Sequence, residues 1–321
     1  MPRAAALVVA TLVAAVGCSS VTSKKDTAIH NPTESVLEVV AVLRRHVPDD
    51  TYRFPPATDF TGRNVYRASL IRLENIERIH AESLRAGHLE AVVAFSKARA
   101  LERLRAYDIA ADYYQLAAER SEALRAEAQI SAETCTAFAQ AITIGPGLDD
   151  PLARATEPYQ ASHAQEVITE LEERSAQLYA ATLGAPEHYA IIAREEIERA
   201  DMARAQWFQA MRFSLPRGQV RAIAERQRLV SRHATSHREM QHVLALANLY
   251  NTLAREYVGA VPPESLDFDP PKLRELVDAA TQLYQRVASR DGAAEKIEAK
   301  RELEAFLAFT LLVDRDRFAA Q

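Results

Sequence analysis

Glycine and proline fall in this 321-residue sequence almost only where helical periodicity stops, and that placement constrains the fold more than any motif does. Nine glycines are present, far fewer than the roughly 7% of an ordinary chain. Gly87, Gly145 to Gly147, Gly184 to Pro186, Pro216 to Gly218, Gly259 to Pro271 and Gly292 cut the chain into segments in which apolar residues recur three and four apart. No segment sustains the period-two alternation of a strand. The expected fold class is all-α.

Local start signals agree with these breaks. Asn31-Pro32-Thr33-Glu34 offers a capping side chain, a proline at the first helical position and an acid at the third, which together satisfy free amide groups. Asp269-Pro270-Pro271 does the same for a later helix. The spacing predicts helices over 33–47, 65–86, 88–105, 107–143, 159–183, 186–214, 218–257, 271–290 and 292–318. Short breaks force neighbours to run antiparallel, so a series of helical hairpins is expected, either a solenoid or a bundle.

The N-terminus carries a different message. Arg3 precedes an apolar run from Ala4 to Val16, too short to span a bilayer, and Ala15-Val16-Gly17-Cys18 follows. These residues resemble a bacterial lipoprotein signal peptide with its lipobox. The resemblance implies cleavage after residue 17, diacylglyceryl transfer to the Cys18 sulfur, and a polar tether over 18–32 leading to one helical domain over 33–321. Ser19, not being Asp, implies an outer-membrane address facing the periplasm, with the inner membrane or cell surface still open. With Arg3 removed, 39 basic side chains become 38 against 44 acidic ones, a balance that argues against nucleic acid as a partner. Cys135, alone once Cys18 is acylated, sits among small and apolar residues and reads as a buried, inert thiol.

Residues 91–124 are similar to a tetratricopeptide repeat. Ala98, Leu101, Tyr107, Ala110, Tyr114 and Ala117 fall at its small, aromatic, aromatic, small, aromatic and small positions, while Ala94 stands where the repeat has a bulky residue and Lys97 where it has leucine. Partial echoes lie in Leu246-Ala247-Asn248-Leu249-Tyr250 and around Ala203, Trp207 and Ala210. The likeness implies a tetratricopeptide-like helical array that binds other proteins on its concave side.

Chemistry is sparse. Glu77-x-x-His80 and Glu239-x-x-His242 have the spacing by which ferritin-like proteins place two metal ligands on one helix face; such a site also needs single inward glutamates from two other helices, for which Glu102 and Glu195 are candidates that no pattern distinguishes from the other glutamates. This is the alternative reading, a di-metal carboxylate oxidoreductase. With 29 glutamates and nine histidines, however, about one such pair arises by chance. His233 and His237, at i and i+4 beside Glu239, can offer zinc two ligands, which is not a site. No His-Glu-x-x-His, Cys-x-x-Cys, nucleophile elbow or phosphate-binding glycine loop occurs.

From Arg217 to Arg238, six arginines oppose the single Glu225, and Arg217, Arg221, Arg228 and Arg232 recur along one ridge. The leading expectation is a non-enzymatic adaptor or scaffold, held at the membrane by its lipid, requiring no cofactor and meeting unknown envelope proteins. Tyr107, Tyr114 and the arginine ridge are the candidate binding surface.

Overall fold

The computed structural model describes residues 32–49, 65–147 and 161–319. Among these there are eleven helices and no strand. They are α1 (Pro32–Asp49), α2 (Val65–Ala86), α3 (Glu90–Arg103), α4 (Tyr107–Arg120), α5 (Glu122–Ala141) and α6 (Ala161–Ala180), then α7 (His188–Ala210), α8 (Gly218–Arg232), α9 (Glu239–Ala260), α10 (Pro270–Ser289) and α11 (Lys296–Ala319). The lipobox and tether lie outside the described residues, as does the connection over 50–64. No described helix is long and apolar enough to cross a membrane.

Each helix packs on its chain neighbours, and α1 also meets α3, α3 meets α5 and α9 meets α11. Most contacts reach one or two helices along the chain, as in an array of hairpins, and side chains from the start of α7 also enter the α3–α5 core. Alanine makes the close approach possible where the array is tightest. Ala94, Ala98, Ala110, Ala111, Ala117, Ala118, Ala128 and Ala132 line the α3–α5 seams, and Tyr107, Tyr114, Phe138 and Tyr189 fill the space between. Tyr107 and Tyr189 both meet Phe138 edge-on, at centroid distances of 5.5 and 5.9 Å. Separate apolar clusters close the two ends, one from α1 to α3 and one from α9 to α11.

Two predicted helices are each divided in the structure. The span 107–143 breaks at Ser121, which is extended (φ −143°, ψ 119°) and separates α4 from α5 without a side-chain cap. The span 218–257 breaks over residues 233–238, where Ser236 Oγ accepts a hydrogen bond from the Arg238 amide at 3.1 Å. Neither break contains glycine or proline. The Asp269 cap forms as expected, its carboxylate accepting from the Lys272 amide at 3.4 Å.

Candidate functional site

The interior of the array holds more ionised groups than a core of this size normally does, and they order its centre. Glu102, on the last turn of α3, is fully buried. Its carboxylate accepts hydrogen bonds from the hydroxyls of Tyr114 and Tyr189, both at 2.7 Å, and faces Arg99 at 3.3 Å and His188 at 3.2 Å. Burial alone raises a carboxyl pKa, but Arg99 and the hydrogen bonds from His188 and Tyr189 outweigh it, holding Glu102 down at about 2. Arg99 also meets His188 and lies against the rings of Phe95, Tyr114 and Tyr189, at 4.9, 5.4 and 5.8 Å. Cys135 sits 3.9 Å from Glu102, where burial and then the Glu102 charge push its thiol well above the ordinary range. It is a thiol held protonated, not a nucleophile.

A second buried carboxylate, Glu196 of α7, accepts two hydrogen bonds from Arg105 and one from the Tyr107 hydroxyl, the latter at 3.1 Å. Arg174 of α6 and Arg199 of α7 lie 3.8 and 3.7 Å away.

Two residues further along α7, Glu198 accepts from Ser236 at 2.6 Å and pairs with His242 at 2.5 Å. Burial opposes the charge on Glu198, and the His242 and Ser236 hydrogen bonds together with the His242 charge more than offset it, leaving the pKa at about 2. Asp201 meets His233 at 2.8 Å, Arg228 at 3.2 Å and Arg232 at 3.0 Å. These pairs tie the α8–α9 turn to α7.

Above that turn lies a cleft of about 880 Å³. Ile191, Ile197 and Met240 supply its apolar lining, while Arg194, Arg232, His237 and Arg290 face Glu195, Glu239 and Asp291 around it. The walls come from the first half of α7, the α8–α9 turn and the α10–α11 turn. The cleft is thus lined by both signs of charge and seated on fixed carboxylate pairs. Ser236, a hydroxyl of the cleft lining, donates its hydrogen bond to Glu198, whose carboxylate is held at a pKa of about 2 and is therefore a weak base.

Several expected residues fall elsewhere. Tyr107 and Tyr114 are core groups, 2% and 0% exposed, and present no binding surface, because their hydroxyls are spent on Glu196 and Glu102. The arginine ridge is divided by its partners: Arg228 and Arg232 pair with Asp201, Arg232 remaining exposed as it does so, and Arg217 and Arg221 are exposed. Arg217 is not within the helix but precedes it, in the left-handed region at φ 53°. His233 and His237 lie in a turn, so the helical i, i+4 geometry expected of them does not exist.

The two Glu-x-x-His pairs sit on α2 and α9 with partners of their own. Glu77 binds Lys97, and His80 marks a kink in α2 (φ −121°, ψ 27°). Glu239 binds Arg286, and His242 binds Glu198. Among the described residues, no group of three or more His, Cys, Asp or Glu side chains is placed to hold a metal ion. Glu102 does point inward, but to Arg99 and His188, and Glu195 lines the cleft.

Glu196, Glu198 and Asp201 were not singled out by motif. Glu196 has a readable signal nonetheless, since Tyr189, Ala193, Glu196, Ala200, Ala203 and Trp207 follow one another at spacings of four and three, which places the acid on a buried stripe. No family model, no curated protein and no solved structure matches this chain.

Proposed function

We propose that this chain is a lipid-anchored envelope protein whose helical array acts as a non-enzymatic adaptor, with the mixed-charge cleft between α7, the α8–α9 turn and the α10–α11 turn as its partner-binding surface. The cleft carries the reading. Its lining offers cations and anions side by side over an apolar floor, a composition suited to a polypeptide segment with both charges. The Glu198–His242 and Asp201–His233 pairs beneath it fix the turn that forms one wall, so a partner meets a preorganised surface. The anchor is argued from the lipobox resemblance, and the tetratricopeptide likeness of 91–124 supports the same class of function.

The test is photo-crosslinking in cells that make the protein. A crosslinking residue at Ala234, in the cleft wall, is expected to give a discrete protein adduct that the same residue at Gln282, on the outer side of α10, does not. An adduct pattern identical at both positions, or monomer alone at Ala234, overturns the adaptor reading.

A further inference from the structure

The outer face of α11 carries exposed leucines. On its inner side, Ala299, Phe306 and Val313 repeat every seven residues and are buried in the α9–α11 core. The opposite side carries Leu307, Leu311 and Leu312, which are 41%, 70% and 50% exposed, together with exposed Ala305 and Ala308. A helix face turned to water is expected to be polar. Among the described residues nothing covers these leucines.

The sequence of this face is self-complementary when read in reverse. Glu304, Ala308, Leu311 and Arg315 follow one another at spacings of four, three and four, the spacing of a coiled-coil seam, with apolar residues at its two inner positions and a charge at each outer one. A two-fold axis passing between Phe309 and Thr310 sets a second α11 antiparallel to the first. Ala308 then lies level with Leu311 of the second copy, and Glu304 level with Arg315 of the second copy. Leu307 and Leu312 flank the seam on its two sides. The small residue opposes the large one, and each acid opposes a base, at both ends of the seam by symmetry. A parallel pairing brings Glu304 against Glu304 and Arg315 against Arg315 instead.

We propose that α11 is a homodimer seam whose occupant is a second copy of this chain in that antiparallel register. One helix pair is small beside the roughly 800 Å² per partner of a stable interface, so the dimer is a weak one that forms at high local concentration. The inference stands independently of the adaptor reading.

The experiment uses the full chain at high concentration in detergent. Ala308→Cys is treated with a short bismaleimide, with the unsubstituted chain as background and Gln282→Cys on α10 as the off-seam control. Ala308→Cys is expected to yield covalent dimer where the control does not. Glu304→Arg should lower that yield about tenfold or more without changing the melting temperature, and adding Arg315→Glu should restore it. The proposal fails on any of three outcomes: equal dimer from both cysteines, no response to the charge reversal, or a position-308 thiol that a monofunctional maleimide cannot reach in the monomer. That last result would place a segment of the same chain over the leucines.

Discussion

Arg105, in the turn between α3 and α4, grips the buried carboxylate of Glu196 on α7 with both edges of its guanidinium, Nε to Oε1 at 2.6 Å and Nη2 to Oε2 at 3.0 Å. To do so it occupies the left-handed region at φ 64°, where a helix normally ends on glycine. That conformation costs on the order of 1–3 kcal/mol, and a bidentate pair to a desolvated carboxylate is the compensation at hand. The contact spans ninety-one positions in sequence and clamps the α3–α4 hairpin to α7. Arg174 brings α6 to the same carboxylate.

Glu196→Gln should therefore be among the most damaging isosteric changes in the chain. It leaves Arg105, Arg174 and Arg199 facing one another around a neutral amide. Removing one partner of a buried ion pair costs about 3–5 kcal/mol, and three guanidinium groups share this one. Urea unfolding followed by circular dichroism measures the loss; a change under about 1 kcal/mol would remove Glu196 as the tie between these helices.

Acid should dissolve the Glu102 centre in a defined window. The carboxyl has a folded-state pKa of about 2 against an ordinary 4.5, so its contribution is fully present above the ordinary value and is lost as pH falls toward 2. Glu198 is lowered in the same direction, so the two losses coincide. The melting temperature is expected to fall between about pH 5 and pH 2, and to fall less steeply in Glu102→Gln, which has no such proton to gain. Equal slopes in the two proteins would contradict the linkage.

Helix placement was legible wherever glycine or proline marks a stop, because those residues act locally. Ser121 leaves no such mark. At the α8–α9 turn, Ser236 and Glu239 do form the Ser-x-x-Glu signature of a helix start, and arginine and histidine on both sides hid it within a continuous periodic pattern. The burial of Glu196 was readable from its stripe, yet its partner was not. Arg99 with His188 and Arg105 with Glu196 meet only because α7 folds back on α3, α4 and α5, and no local spacing encodes a contact across about ninety residues. The tyrosines were misplaced for a related reason: an aromatic at a helix surface position looks available until the carboxylate that takes its hydroxyl is in view.

Gly218→Ala isolates a steric requirement rather than a conformational one. Gly218 opens α8 and is buried, and a Cβ there would stand 2.0 Å from the Arg212 carbonyl oxygen and 2.6 Å from its carbon. Backbone cannot rotate aside as a side chain can, so α8 must shift from the α7 turn. Forced overpacking of this kind costs about 1–3 kcal/mol or more. Thermal melts should register the loss, while Gly259→Ala, whose Cβ meets nothing within 4 Å, should not destabilise by steric contact.

Replacing Cys18 by serine tests the proposed lipid anchor separately from the fold. Acyl chains contribute about 0.8 kcal/mol per buried methylene, so two or three on the proposed anchor would dominate membrane attachment, and serine cannot accept a thioether-linked diacylglyceryl group. The apolar clusters of the array draw on residues from Val36 to Val313, none near position 18. Cys18→Ser is expected to lose labelling by radioactive palmitate and to leave the membrane pellet on alkaline or high-salt extraction, while its helical circular dichroism and melting temperature match the parent. Retention in the pellet with labelling abolished would mean that a surface of the array, or the uncleaved apolar run, holds the membrane; cleaving after residue 17 with an engineered protease site tells those two apart, since only the array's own surface survives the cut.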